Sequence, residues 1–320
     1  NISQVRCGAA GPSLPRCTYS GNERIDKVSA AALFTEVLVR GIAIGVVYAL
    51  MGLGLTLIFG VMRIINFAQG EFYMLGAYVV FSIMSSLSVP FYVSLPAGML
   101  VIFLLGVVVE RLLLHPIHSQ RVQNAMEYSL IITFALSILL QKTAILLFGP
   151  FYKKIPDHLP GNVQLGPVAL PGTLFLAMIL SAFLILAVTL FIGRTRTGRA
   201  WRAIAQSLPG ASISGVRIDR QSGLVFGLST ALAAAGGAIL APFTLIFPTM
   251  GSAPLIKGYE IIAIGGLGSI PGSLVGGMIL GVAETLGSVY INSAYKDLYG
   301  FGLLMLFLIF RPRGLFGQAS

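Results

Sequence analysis

Runs of roughly twenty apolar residues, parted by short polar stretches, fill most of this chain; each run suffices to cross a hydrocarbon core about 30 Å thick at helical rise. They cover residues 30–59, strongest after Arg40, then 64–84, interrupted by polar side chains, 89–109, 128–148, 173–192 and 222–247. After Pro254 the pattern breaks into a short apolar piece, a Gly-Gly-Leu-Gly-Ser-Ile-Pro-Gly stretch at 265–272, a run over 273–291 and a last run over 298–310. Residues 110–127 read as a polar connection, and 149–172, rich in Pro and Gly, as a loop. The expectation is an all-α, polytopic transmembrane helical bundle with broken helices and about eight membrane segments. Residues 1–29 form a polar tail and 30–317 the transmembrane domain.

Composition strengthens this picture. Of 320 residues 56% are hydrophobic and 10% charged, against about 25% charged in ordinary soluble domains. The 38 glycines suit a membrane bundle, where small residues let helix backbones approach. Pairs at such spacing include Gly41/Gly45, Gly223/Gly227, Gly272/Gly276 and Gly277/Gly281.

The net charge of +10 does not point to nucleic acid, because the basic residues sit at the ends of apolar runs, as the positive-inside rule requires. Residues 193–221 carry Arg194, Arg196, Arg199, Arg202, Arg217 and Arg220 against Asp219 alone, which places this loop in the cytoplasm. Arg311 and Arg313 do the same for the end of the last run. Counting back five spans from the loop puts the tail outside, whereas Arg6, Arg16, Arg24 and Lys27 favour the inside; six arginines beside two span ends decide for outside. Were the first two runs one broken hairpin, the tail would lie inside. Cys7 and Cys17 pair only if the tail faces an oxidising compartment; two unpaired thiols fit equally.

Chemistry of the enzymatic kind is missing from the sequence. There is no Gly-x-x-x-x-Gly-Lys-Ser/Thr phosphate loop, so the chain is not expected to hydrolyse ATP. His115 and His118 flank Pro116 without an acidic or thiol partner at metal-ligand spacing, and Gly266-Leu267-Gly268 does not continue as a dinucleotide motif. No catalytic residue, metal site or cofactor is therefore assigned to this chain.

Ionisable residues within apolar runs are costly and by default functional. The segment with Asn66, Gln69, Gly70 and Glu71 brings one such residue, Glu71, together with two polar amides; on a continuous helix Asn66, Gln69 and Tyr73 share one face and Glu71 points away. They either cap a broken helix or border a polar pathway, and both roles can coexist. Glu260 and Glu284 flank the break containing Gly265, Gly266 and Gly268, which is either a tight turn or exposed backbone at a binding site. In the arginine-rich loop, Trp201, Ile204, Ala205 and Leu208 oppose Arg199, Arg202 and Gln206 on a short amphipathic helix, which could rest on lipid or dock another protein.

The run Gly60-Val61-Met62-Arg63-Ile64-Ile65-Asn66-Phe67-Ala68-Gln69-Gly70-Glu71, followed by Met74-Leu75-Gly76-Ala77-Tyr78, resembles the LivH-type permeases of branched-chain amino acid ABC importers, with Gln69 where His is commoner. Three further stretches are similar: Gly198 to Gln206 with Ala211 and Gly215-Val216, Gly265 to Gly272, and Arg311-Pro312-Arg313-Gly314-Leu315. Ser207 and Pro209-Gly210 depart from the family pattern and suggest an early end to the loop helix.

The resemblance implies a bacterial inner-membrane importer with a LivM-like second permease, two cytoplasmic ATPases that bind ATP and Mg, and an extracytoplasmic solute-binding protein. It implies that Arg199, Trp201, Arg202, Ala205, Gln206, Ala211 and Gly215 couple to the ATPase, with Trp201 as the docked anchor. Related permeases of urea or short amides share these motifs, so that solute class stays open. A channel or secondary transporter needs no ATPase, and an embedded enzyme lacks its constellation here.

Overall fold

The computed structural model describes residues 30–118, 124–155, 161–165 and 168–317; Cys7 and Cys17 lie outside them. Eight helices among the described residues are long and apolar enough to cross a membrane. The first, α1 (Ala30–Met62), is unbroken over 33 residues, so the first two apolar runs are separate crossings and not one broken hairpin. After a non-helical stretch, 63–68, follow α2 (Gln69–Leu87) and α3 (Phe91–Val109). The chain winds on from α3 through a π-helical turn, Glu110–Leu114, and a 3-10 turn, His115–His118. The first part of what reads as a polar connection, Glu110–Leu114, is thus the continuation of a span. Glu110 is buried there, its Oε1 accepting 2.8 Å from Ser222 Oγ.

Next come α4 (Ala125–Phe148) and a small antiparallel hairpin, β1 (Asn162–Leu165) with β2 (Val168–Pro171), in a stretch expected to be only loop. Then follow α5 (Gly172–Arg194), two short helices α6 (Arg196–Gln206) and α7 (Leu208–Ile213), and α8 (Ile218–Leu240). The last elements are α9 (Ser252–Gly265), α10 (Ile270–Tyr290), a 3-10 turn and α11 (Lys296–Phe310).

α1 and α8 form the centre of the bundle, with α10 laid antiparallel along α1. The α1–α10 seam is backbone on backbone: a Cβ on Gly45 would stand 2.7 Å from Gly277 O, and one on Gly277 2.8 Å from Ala49 Cα. Two of the small-residue pairs noted in the sequence, Gly41/Gly45 and Gly277/Gly281, therefore face each other, gaining the dispersion contact that drives helix association in lipid.

At one end gather the arginine-rich helices α6 and α7, the end of α1 and the α9–α10 turn. Arg63 Nη2 donates to Ala205 O, and the chain end folds back so that Leu315 N and Phe316 N donate to Ile264 O and Gly265 O. α1 starts at the opposite end.

Candidate functional site

Two crossings are interrupted, and their broken ends meet. α8 stops at Leu240, so the run expected over 222–247 ends early, and 241–251 is irregular backbone leading into α9. With 14 residues, α9 is about 21 Å long and cannot span alone. Its first turn abuts the first turn of α2, where Gly70 and Gly251 pack backbone to backbone and a Cβ on either would strike the other's carbonyl.

The depth of this junction follows from α1. Gln69 Nε2 donates to Ser229 O (3.1 Å) and Oγ (3.0 Å), and Ser229 Oγ donates to Gly54 O (2.6 Å). Gly54 lies about 12 Å from the end of α1 at Met62 by helical rise, close to the middle of a hydrocarbon core about 30 Å thick.

Around the junction most of the polar side chains are engaged by a neighbouring element. Asn66 Nδ2 donates to Gln69 Oε1 (2.9 Å), its Oδ1 accepts from Ala68 N (3.1 Å), and its carbonyl accepts from Tyr259 of α9 (2.9 Å). Thr133 of α4 accepts from Phe67 N (3.1 Å), and Ser137, one turn on, donates to Glu71 Oε1 (3.1 Å). Glu71 Oε2 is buried without a hydrogen-bond partner among the described residues. Phe67 packs on Tyr259 and Phe134.

Asn66, Gln69, Gly70 and Glu71 all lie at this junction, with one departure from the expected helical face. Asn66 precedes α2 and does not share a helical face with Gln69. It terminates the break, because a short amide can satisfy loose backbone groups that water cannot reach.

Glu260 and Glu284 belong to a second cluster, enclosed by α9, α10 and α11. Lys257 Nζ lies 2.6 Å from Glu284 Oε1, 3.4 Å from Glu260 Oε2 and 3.2 Å from Asp297 Oδ1. Lys296 is 3.7 Å from Glu284 Oε2, which Tyr48 OH also approaches at 3.4 Å. A Cβ at Gly300 would stand 2.6 Å from Glu260 Oε2 and 3.0 Å from Lys257 Nζ, so only glycine lets α11 close over the ions.

Sequence reasoning missed Lys257, although its i,i+3 spacing to Glu260 inside an apolar piece was the available signal. Gly300 carried none. Gly265, Gly266 and Gly268 do not expose backbone at membrane depth; they form the tight α9–α10 turn at the arginine-rich end, with φ of 104° at Gly266 and 82° at Gly268. The irregular backbone at depth lies instead before α9.

In the arginine-rich loop the helix does stop early. α6 ends at Gln206, and Ser207 caps the start of α7 by accepting from Gly210 N (3.2 Å). The apolar face of α6 is not offered to a partner. Trp201 is 2% exposed, packs on Phe191 and donates to Gln221 Oε1 (2.9 Å), and Ile204 is buried beside it. Arg199, Arg202 and Gln206 are exposed, Ala205 is half-buried, and Ala211, within α7, is buried. The apolar side chains facing out here are Leu208 and, 89% exposed, Ile213. Gly215, two residues past α7, has φ of 79°, and a Cβ there would meet nothing within 4 Å.

Interrupted helices meeting at mid-depth, with polar backbone held inside a helical bundle, are the architecture of a multi-pass membrane transporter. Residues 37–309 match the family described as branched-chain amino acid transport system, permease component, and the chain belongs to that family. Among its relatives are the high-affinity branched-chain amino acid transport system permease protein BraD of Pseudomonas aeruginosa, 35% identical over 299 residues, and LivH of Salmonella typhimurium, 34% identical over 299. Each match covers 89% of this chain and 96% of the relative. A probable branched-chain amino acid transport permease protein LivH of Methanocaldococcus jannaschii is 27% identical over 285 residues, 84% of this chain and 88% of that one.

Proposed function

We propose that this chain is a membrane-spanning permease subunit of an ATP-driven importer, that it moves branched-chain amino acids into the cytoplasm, and that solute passes the junction of α2 with α9. The carrying observation is the contact of two helix N-termini, at Gly70 and Gly251, about midway through the bundle. N-terminal N–H groups and their dipoles favour an anionic group such as an amino acid carboxylate, while the apolar bulk of Phe67, Phe134 and Tyr259 suits an aliphatic side chain. A urea permease has no use for either property, which favours the amino acid reading.

The arginine-rich end faces the cytoplasm of the cell, in the inner membrane, by the positive-inside rule. There the ATPase that supplies ATP and Mg meets the exposed side of α6 and α7, through Arg199, Arg202, Gln206, Leu208 and Ile213. Trp201 and Ala211 act behind that surface, holding the two helices on the bundle, and Gly215 lets the chain turn back into α8. A second permease completes the pathway, and a solute-binding protein delivers to the opposite end.

The test is uptake of labelled leucine by vesicles holding the assembled importer. Glu71→Gln and Gln69→Leu should each lower uptake at least severalfold while the subunits still co-purify. Unchanged uptake in both would remove the junction from the pathway.

A further inference from the structure

Arg63 occupies a position that residues other than glycine, Asn and Asp rarely take. α1 ends at Met62, and Arg63 turns the chain with φ of 53°, a left-handed conformation that costs a branched or long side chain about 1 kcal/mol. A glycine would hold this turn with less strain, so the side chain must contribute something the backbone does not need.

Its guanidinium reaches the last turn of α6, where Nη2 donates 3.2 Å to Ala205 O. That carbonyl is one of those a helix leaves unpaired at its C-terminus, where the dipole also favours a cation.

The surroundings make this contact singular. Arg63 lines two open grooves at once, one of about 930 Å³ bordered by Arg111, His115 and Arg217, the other of about 670 Å³ bordered by Arg202, Gln206 and Ser269. Its side chain forms a strut between them. The far side of α6 is fastened separately, to α5 and α8, by Arg202 Nη2 donating to Gly193 O (3.2 Å) and by Trp201 on Phe191 and Gln221.

In the other direction the backbone runs from Arg63 to Asn66 within about 10 Å of extended chain. Asn66 is tied to Gln69, and through Gln69 to Ser229 and α1; its carbonyl is tied to α9 by Tyr259. We propose that Arg63 is the positioning residue that transmits displacement of α6 to the α2–α9 junction. Movement imposed on the short helices by the ATPase reaches the broken crossings through this strut. The inference rests on the importer reading given above.

Arg63→Gly separates the strut from the turn, since glycine keeps φ of 53° without strain while the whole side chain, guanidinium included, is removed. Arg63→Lys restores a cation of similar reach. The complete importer, with its ATPase and binding protein, is reconstituted in vesicles, and leucine uptake and ATP hydrolysis are measured on the same preparation. Arg63→Gly should retain subunit assembly and hydrolysis within about twofold of wild type, while solute moved per ATP falls about threefold, the scale of one lost solvent-exposed contact of a charged group. Arg63→Lys should recover part of that ratio. A Gly variant with wild-type uptake per ATP overturns the strut, and so does one whose hydrolysis and assembly collapse together. If the wild-type assembly shows no ATP-dependent uptake at all, the importer reading itself has failed.

Discussion

Lys257→Met tests whether the buried ion cluster holds the half-crossing α9 to α10 and α11. In the native protein Lys257 Nζ serves Glu284 at 2.6 Å, Glu260 at 3.4 Å and Asp297 at 3.2 Å. The three partners lose unequal amounts on substitution. Asp297 is exposed and is rescued by water, so its pair contributes little. Glu284 keeps Lys296 and Tyr48. Glu260 is buried, its Oε1 has no hydrogen-bond partner among the described residues, and Lys257 is the cation beside Oε2. It is left as an isolated buried carboxylate.

Removing one partner of a buried pair costs about 3–5 kcal/mol, and the lower half of that range applies, since Glu284 remains served. Reversible unfolding in mixed micelles, followed by helical circular dichroism, should show a loss of about 3 kcal/mol for Lys257→Met. Adding Glu260→Gln should restore more than half, because the stranded charge is gone. A loss below about 1 kcal/mol in the single variant, or a double variant no more stable than the single, refutes the argument.

Two further outcomes follow from the loop helices and the orientation of the bundle. Trp201→Ala opens a cavity between α6 and α5 and should cost about 3 kcal/mol of stability, detected as lower thermal resistance of the purified subunit whether or not the ATPase is present; a loss of ATPase binding with unchanged stability would restore Trp201 as a docking anchor. A single cysteine at Ser214, which is exposed beside α7, should resist an impermeant thiol reagent in whole cells and react after permeabilisation, and ready labelling of intact cells would invert the topology.

The spans were legible because hydrophobic run length is dictated by the bilayer. The sequence also marked Asn66, Gln69 and Glu71, since polar side chains in an apolar run need a reason. Their partners were not legible. Ser229, Tyr259 and Ser137 are ordinary residues until folding brings three remote helices to one depth.

The irregular stretch 241–251 hid behind its own hydrophobicity, which resembles the end of a span, whereas the glycines of 265–272 advertised a break that is only a turn. Glu110 read as polar connection because a π-helical continuation leaves no trace in local composition. Trp201 looked like a docking anchor because amphipathicity shows that a face is covered without saying by what, and here the chain covers it itself.

Transport of branched-chain amino acids is tested most directly by competition in vesicles containing the purified importer, its ATPase loaded with ATP inside and its binding protein outside. Accumulation of labelled leucine should require ATP and this subunit, and should be suppressed by excess isoleucine or valine but not by urea or acetamide. Suppression by urea or acetamide with none by valine, or accumulation that proceeds without ATP, would contradict the account.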